Sequence, residues 1–268
     1  MPLAKIHLTG KSDDGSAHMA QDEALATVQA GQGWDNKRRN DAYDQLSEEA
    51  LMERLSSWSP VVRERSAMAL SRRDENPTPL LISLLRSSNL HGKYGACQAL
   101  KHQGRRGADA VKDLMRNLRA EDLWLRILAA EALAGIGAPA KQAVPMMLSQ
   151  LARRDEARDP RGMEQRYFSF ALFDQRSGLI GRSIEGVNRA QLRRAIEAGL
   201  RNDDGRARGA VGSVFRHLSL SEIKPLLPAI LDAIKNPAPS GIMFAHEVRM
   251  RGLELLAKHH VGDRKSVV

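Results

Sequence analysis

The sequence predicts an all-α chain, a right-handed α-solenoid of about six helical hairpins. Three observations point there. The stretch LRILAAEALAGIG, residues 125–137, keeps its apolar residues on one helical face: Leu125, Leu128, Ala129, Ala132, Leu133 and Ile136 follow the 3.6-residue period. Shifted along the chain, the pattern recurs, and recurrence at a fixed period is the signature of repeat architectures. Aromatic residues make up only 4% of the chain. A core of Ala, Leu, Ile, Val and Met suits closely packed helices better than a β-sandwich, which draws on aromatic and β-branched residues.

In chain order, residues 1–45 do not fit the repeat and are expected to form a polar, loosely ordered extension that partly docks on the solenoid. DEALATVQAG predicts a short helix ended by Gly31 and Gly33, and WDNKRRND reads as a polar connector. The first hairpin follows. Ser47 is an N-cap with Glu48 and Glu49 in the first turn. Ser59 caps the next helix, with Pro60 at its first position. The second helices align on one basic residue each: Arg63, Lys93, Arg126, Arg166, Arg208 and Arg249, spaced by about 30, 33, 40, 42 and 41 residues. Small or apolar residues follow each anchor at plus three, plus four, plus six and plus seven. The first helices fall at roughly 78–86, 108–118, 139–151, 188–201 and 221–235. Pro145, Pro225 and Pro228 should bend these helices or lie in their first turns. The helix at 125–137 should end on Gly135 and Gly137, which take positive φ at little cost. The solenoid is expected over residues 46–260, with a tail at 261–268.

This pattern resembles HEAT repeats, especially the short HEAT-like repeats also seen in phycobilisome lyases. Pro60, Val62, Arg63, Ala67, Ala69 and Leu70 carry the resemblance in the first unit. Leu125, Arg126, Ala129, Ala130, Ala132, Leu133, Gly135 and Gly137 carry it in the third. It covers roughly residues 47–260 and is strongest through residue 152. The resemblance implies that the anchor arginine helps bind neighbouring turns together. It implies little chemistry, because one fold hosts many functions. The atypical start further suggests a piece of a larger bacterial protein with a separate N-terminal domain.

The net charge is +9 and the pI about 10. Residues 1–46 hold five basic and seven acidic side chains, so the rest carries an excess of about +11. Such a body favours an acidic protein, nucleic acid or an anionic surface. The single cysteine, Cys97, permits no intrachain disulfide. It aligns with Ala67 and Ala130, which makes a buried packing thiol the expectation. No apolar run reaches the length of a membrane span and the start lacks a signal-peptide core, so the cytoplasm is the default location.

Catalytic and metal motifs are incomplete. TGKS at residues 9–12 matches the tail of a phosphate-binding loop, but Lys5 stands where the motif needs glycine. AHEVR at 245–249 has the start of a zinc-protease helix, but Met250 replaces the second histidine. His259 and His260 are adjacent and face different directions. Asp122, Trp124 and Arg126 are the residue types of DNA glycosylases built on HEAT-like repeats, yet lie too close in sequence to imply a groove. Asp203 reads as a helix cap. No cofactor is expected.

The longest departure from the repeat is RRDEARDPRGMEQ, residues 153–165, followed by the aromatic helix RYFSFALFDQ and the connector 176–187. Phe170 and Phe173 occupy core positions of the alignment. Tyr167 and Phe168 are left, with the loop, as the candidate partner surface. The expected function is non-catalytic protein–protein interaction or scaffolding, as a monomer, through the concave face lined by second helices. The alternative is nucleic-acid binding, extending to glycosylase-type chemistry. The basic ladder is either a structural device or a row of cations for an acidic partner.

Overall fold

The computed structural model describes residues 36–153, 155–240 and 245–259. The TGKS motif, the helix expected in DEALATVQAG, His260 and the tail lie outside these residues. Among the described residues the architecture is all-α, the one β feature being an isolated bridge between Asp204 and Ser240. No described helix is long and apolar enough to cross a membrane. The chain divides into two compact units, one ending at Asp113 and one beginning at Leu114.

The first unit contains α1 (Asn36–Asp44), α2 (Glu48–Arg54), α3 (Pro60–Ser71), α4 (Thr78–Arg86) and α5 (Leu90–Gln103). Ser47 caps α2 by accepting the Ala50 N–H at 3.2 Å. Ser59 makes no side-chain cap bond; its own N–H is taken by Ser57 Oγ at 3.0 Å, while Pro60 starts α3. Asn89 caps α5 through the Gly92 N–H. The pairs α2/α3 and α4/α5 are helical hairpins, and α3 packs along α5. Gly95 lets α5 close on the end of α2: a Cβ there would sit 2.1 Å from the Leu55 carbonyl oxygen.

The fold begins earlier than the sequence predicts. Residues 36–44, read as part of the polar extension, form α1, which packs on α3. Tyr43 is buried there, and burial pushes its hydroxyl pKa up to about 12. Arg72 pairs with the Asp44 carboxylate, and Arg73 donates to the carbonyls of Asp44 and Leu46. Arg106 repeats the device one hairpin on, donating to the carbonyls of Arg73, Asp74 and Glu75 at 2.7–2.9 Å.

A 3₁₀ stretch, Gly104–Ala110, leads into α6 (Val111–Asn117), within which the two units divide. The second unit continues with α7 (Leu123–Ile136), α8 (Val144–Leu151), α9 (Met163–Phe173), α10 (Arg189–Leu200) and α11 (Gly205–Gly212). It ends with α12 (Leu220–Ile223), α13 (Leu227–Lys235) and α14 (Ala245–Lys258). Asp122 caps α7, accepting the Leu125 N–H at 2.7 Å, and Gly137 ends it with φ of +76°. Gly135 stays inside the helix. Pro145 and Pro228 lie in first turns, where the missing N–H costs no hydrogen bond, and Pro225 lies in a 3₁₀ turn. Asp204, not Asp203, caps α11, accepting from Arg206 and Ala207. The hairpins α8/α9, α10/α11 and α13/α14 stack so that α7, α9, α11 and α14 contact one another in succession.

Both irregular segments are held on the second unit. In the connector after α9, Leu179, Ile180 and Ile184 are buried. The N–H groups of Leu179 and Ile180 bond to the carbonyls of Ala171 and Leu172 at 2.9 Å. The long insertion before α9 is tied by Asp159, which is buried and accepts the Glu164 N–H at 2.7 Å. Asn202 Nδ2 donates to the Gly162 carbonyl at 3.1 Å.

Candidate functional site

The ladder residues do not share one environment. Arg126 is buried; its guanidinium donates to the carbonyls of Ala120 and Glu121 at 2.9 and 2.8 Å and pairs with Glu164 at 3.0 Å. Arg63 donates to the carbonyls of Ser57 and Trp58 and to Gln98 Oε1. Arg208 reaches the carbonyls of Asn202 and Asn236 at 2.6 and 2.9 Å. In each case a fork of donors ties the turn before a helix to the helix itself, a task suited to the planar guanidinium. Burial lowers the pKa of Arg63 and Arg208 from its ordinary value. Arg249 is exposed and donates to the Ile234 carbonyl near the end of α13. Lys93 is half-exposed and makes no such bond.

Arg166 requires a correction of register. The buried residues of α9 are Gln165, Phe168, Ser169, Ala171, Leu172 and Phe173. They match the buried set of α7 with Gln165, not Arg166, in the place of Arg126. Gln165 Nε2 donates to the Leu151 carbonyl at 2.9 Å, so a neutral amide makes the tie that arginine makes elsewhere. The one-residue shift moves Phe168 from the candidate partner surface into the core, at 0% exposure. Phe170, placed in the core by the alignment, is half-exposed instead. Anchoring on positive charge hid this, because the signal is hydrogen-bond donation.

Freed from the core, Arg166 pairs with Asp204 at 3.2 Å and lies over the Tyr167 ring at 5.7 Å. Tyr167 stays at the surface and meets two further aromatics edge to face. Its centroid is 6.2 Å from Trp124 and 5.9 Å from Phe170. Trp124 does not pack between helices; it is 46% exposed. Three rings from α7 and α9 thus form a strip along the face of the second helices. The glycosylase constellation does not assemble: Asp122 caps α7 and the Arg126 guanidinium is committed to carbonyls and Glu164.

The strip leads into a trough of about 540 Å³. Its floor is α11 with Gly209 and Ala210, then Ser213 just past the helix end, and Arg206 of the same helix also lines it. Phe170 stands on one wall and Met250, 54% exposed, on the other. His246, from the incomplete zinc motif, lines the same trough; the described residues hold no cluster of three metal-ligating side chains. Cys97 lies in the other unit, fully buried.

On the second-helix face of the first unit, α3 and α5 share a polar network. His102 Nε2 and Glu64 Oε1 are 2.6 Å apart, and Gln98 donates to Glu64 Oε2 at 3.0 Å. The His102 hydrogen bond foremost, opposed by burial and helped by the charges of His102 and Lys101, holds the Glu64 carboxyl below its ordinary pKa. A carboxyl whose pKa is depressed on folding adds stability above its unfolded pKa, and that stability fades as pH falls through the folded value. Glu64→Gln should therefore flatten the acid side of the stability–pH curve. Urea titrations at stepped pH test this; an identical acid limb in the variant would show the pair to be thermodynamically silent.

Repeated helical hairpins, tied by buried polar side chains to the carbonyls of the preceding turn, define a helical-repeat array. Residues 48–134 match the family model for HEAT repeats, so this stretch consists of HEAT-like repeats. No curated protein matches the chain.

Proposed function

We propose that this chain is a protein-binding module whose contact surface is the second-helix face of its second unit. HEAT repeats generally mediate protein–protein interaction and are typically non-catalytic. The observation that supports the reading is the strip of Trp124, Tyr167 and Phe170, with Met250 beyond it. Large amphipathic side chains at the rim of a preformed trough are the composition of interface anchors. Single exposed apolar residues need no explanation, but a connected set on one face does. An acidic partner suits the basic body. Nucleic acid is less well matched by this site, since Asp174, Glu247 and Glu254 line the trough alongside its arginines.

A photo-crosslinking residue at position 124 should trap a partner from source-cell lysate, while one at the exposed position 193 on α10 should not. Trp124→Ala combined with Tyr167→Ala should weaken binding of the trapped protein by about 2 kcal/mol or more, roughly thirtyfold, with the helical signal intact. Equal trapping from both positions would remove this face from consideration. Replacing residues 155–162 would be a poor test, because it also deletes Asp159, which accepts the Glu164 N–H at the start of α9.

A further inference from the structure

We propose that the trough receives a linear segment of a partner protein in which an apolar anchor is followed by acidic side chains, the acidic part lying at the Arg216–Arg251 end. This rests on the protein-binding reading and assigns the partner's chemistry.

At that end of the trough, Gln175 lies between two arginines. In the amide orientation that satisfies both, its Oε1 accepts from Arg251 at 3.0 Å and from Arg216 at 3.3 Å. Two guanidiniums are thus brought together on a neutral oxygen. Among the described residues, the ion pair made by either is Arg251 with Glu254, at 3.5 Å and largely exposed. Such an exposed pair contributes little.

Further cations surround the pair. Lys258 Nζ donates to the Arg216 carbonyl, and Arg182 donates to the carbonyls of Gln175 and Arg176. These bonds satisfy donors but leave the charge unneutralised. Arg176 lines the trough and is exposed. Asp174 offsets the charge of Arg176, its Oδ1 being turned into its own loop, where it accepts from Arg176 N, Ser177 N and Ser177 Oγ at 2.8–2.9 Å. Cations near helix C-termini are favoured by the helix dipole, and α9, α11 and α14 all end here. The dipole accounts for single cations at each end. It does not account for the convergence of Arg216 and Arg251 on one amide.

The rest of the trough decides the type of anion. Phe170 and Met250 give it apolar walls, and the small-residue floor gives it depth. Glu247 crosses the floor, its carboxylate lying 2.5 Å from where a Gly209 Cβ would be. A phosphate backbone carries charge at every residue and would run over this carboxylate. A protein segment can place an apolar side chain there and keep its carboxylates for the arginines.

Random linear peptides displayed on phage, selected on the full chain, provide the test. Enriched sequences should carry an aromatic or aliphatic residue followed by Asp or Glu. Their affinity, read by fluorescence polarisation, should fall about tenfold in an Arg216→Gln/Arg251→Gln variant, equivalent to about 1.4 kcal/mol. It should also fall with rising salt. Because Arg216 also donates to the Gly181 carbonyl at 2.9 Å, binding is compared at a temperature where the variant's thermal melt shows it folded, so that lost binding is not lost folding. Enrichment of uncharged or basic peptides, no enrichment, or equal affinity for parent and variant would overturn the proposal. So would tighter binding of a labelled oligothymidine than of any selected peptide. If the partner trapped at position 124 binds through Trp124 and Tyr167 while selected peptides show no acidic preference, the interaction surface stands and the acidic segment falls.

Discussion

Leu133→Ala should destabilise the second unit by about 2–5 kcal/mol. The side chain is fully buried in α7, the helix that packs against α9. Truncation removes the transfer free energy of the lost carbons and leaves a cavity, because the neighbours relax only in part. Those neighbours have little freedom to follow: Ala129, Ala130 and Ala132 on the same helix are buried and too short to swing into the space. Urea unfolding followed by far-UV circular dichroism reads the loss. The two units need not unfold together, so a split transition with only its second-unit limb shifted is also an expected form of the result. A loss below about 0.5 kcal/mol would refute the placement of Leu133 in a packed core.

The repeat was legible in the sequence because small and apolar residues recur at helical spacing behind a basic anchor. Where the anchor does its work through charge-bearing donors, as at Arg63, Arg126 and Arg208, alignment and burial agree. The alignment slipped at α9 because Gln165 makes the same carbonyl tie without charge, and its neighbour Arg166 took its place by sign alone. That single slip exchanged Phe168 and Phe170 between core and surface. It also hid the aromatic strip, whose third member, Trp124, sits about one repeat away in sequence. Helix α1 escaped notice for a related reason. Its sequence is polar apart from Ala42 and Tyr43, and beside the buried Tyr43 what docks it is Arg72 and Arg73 reaching from the end of α3, a long-range contact with no local signature. The trough was illegible too. It depends on small residues, Gly209, Ala210 and Ser213, lying between larger side chains of the neighbouring helices, and glycine in a helix is otherwise read as a weakness.

Arg126→Ala should cost about 3 kcal/mol or more, the largest effect expected of any ladder substitution. Its guanidinium is nearly as buried as Leu133, and it meets two carbonyls and one carboxylate. Removing it leaves the oxygens of Ala120 and Glu121 without these donors where the chain turns into α7. It also leaves Glu164, in the first turn of α9, without its cation. Two elements lose a tie at once: the turn before α7, and the link from α7 to the start of α9. Arg126→Lys should recover only part of the loss, because a single ammonium cannot reproduce the fork that holds both carbonyls and the carboxylate. Partner binding should persist in whatever fraction remains folded, since the Arg126 side chain is buried while Trp124 is exposed. Stability unchanged with binding abolished would instead make Arg126 a contact residue and return the ladder to the role of a row of cations for an acidic partner. Denaturant melts and polarisation measured on the same samples separate the two.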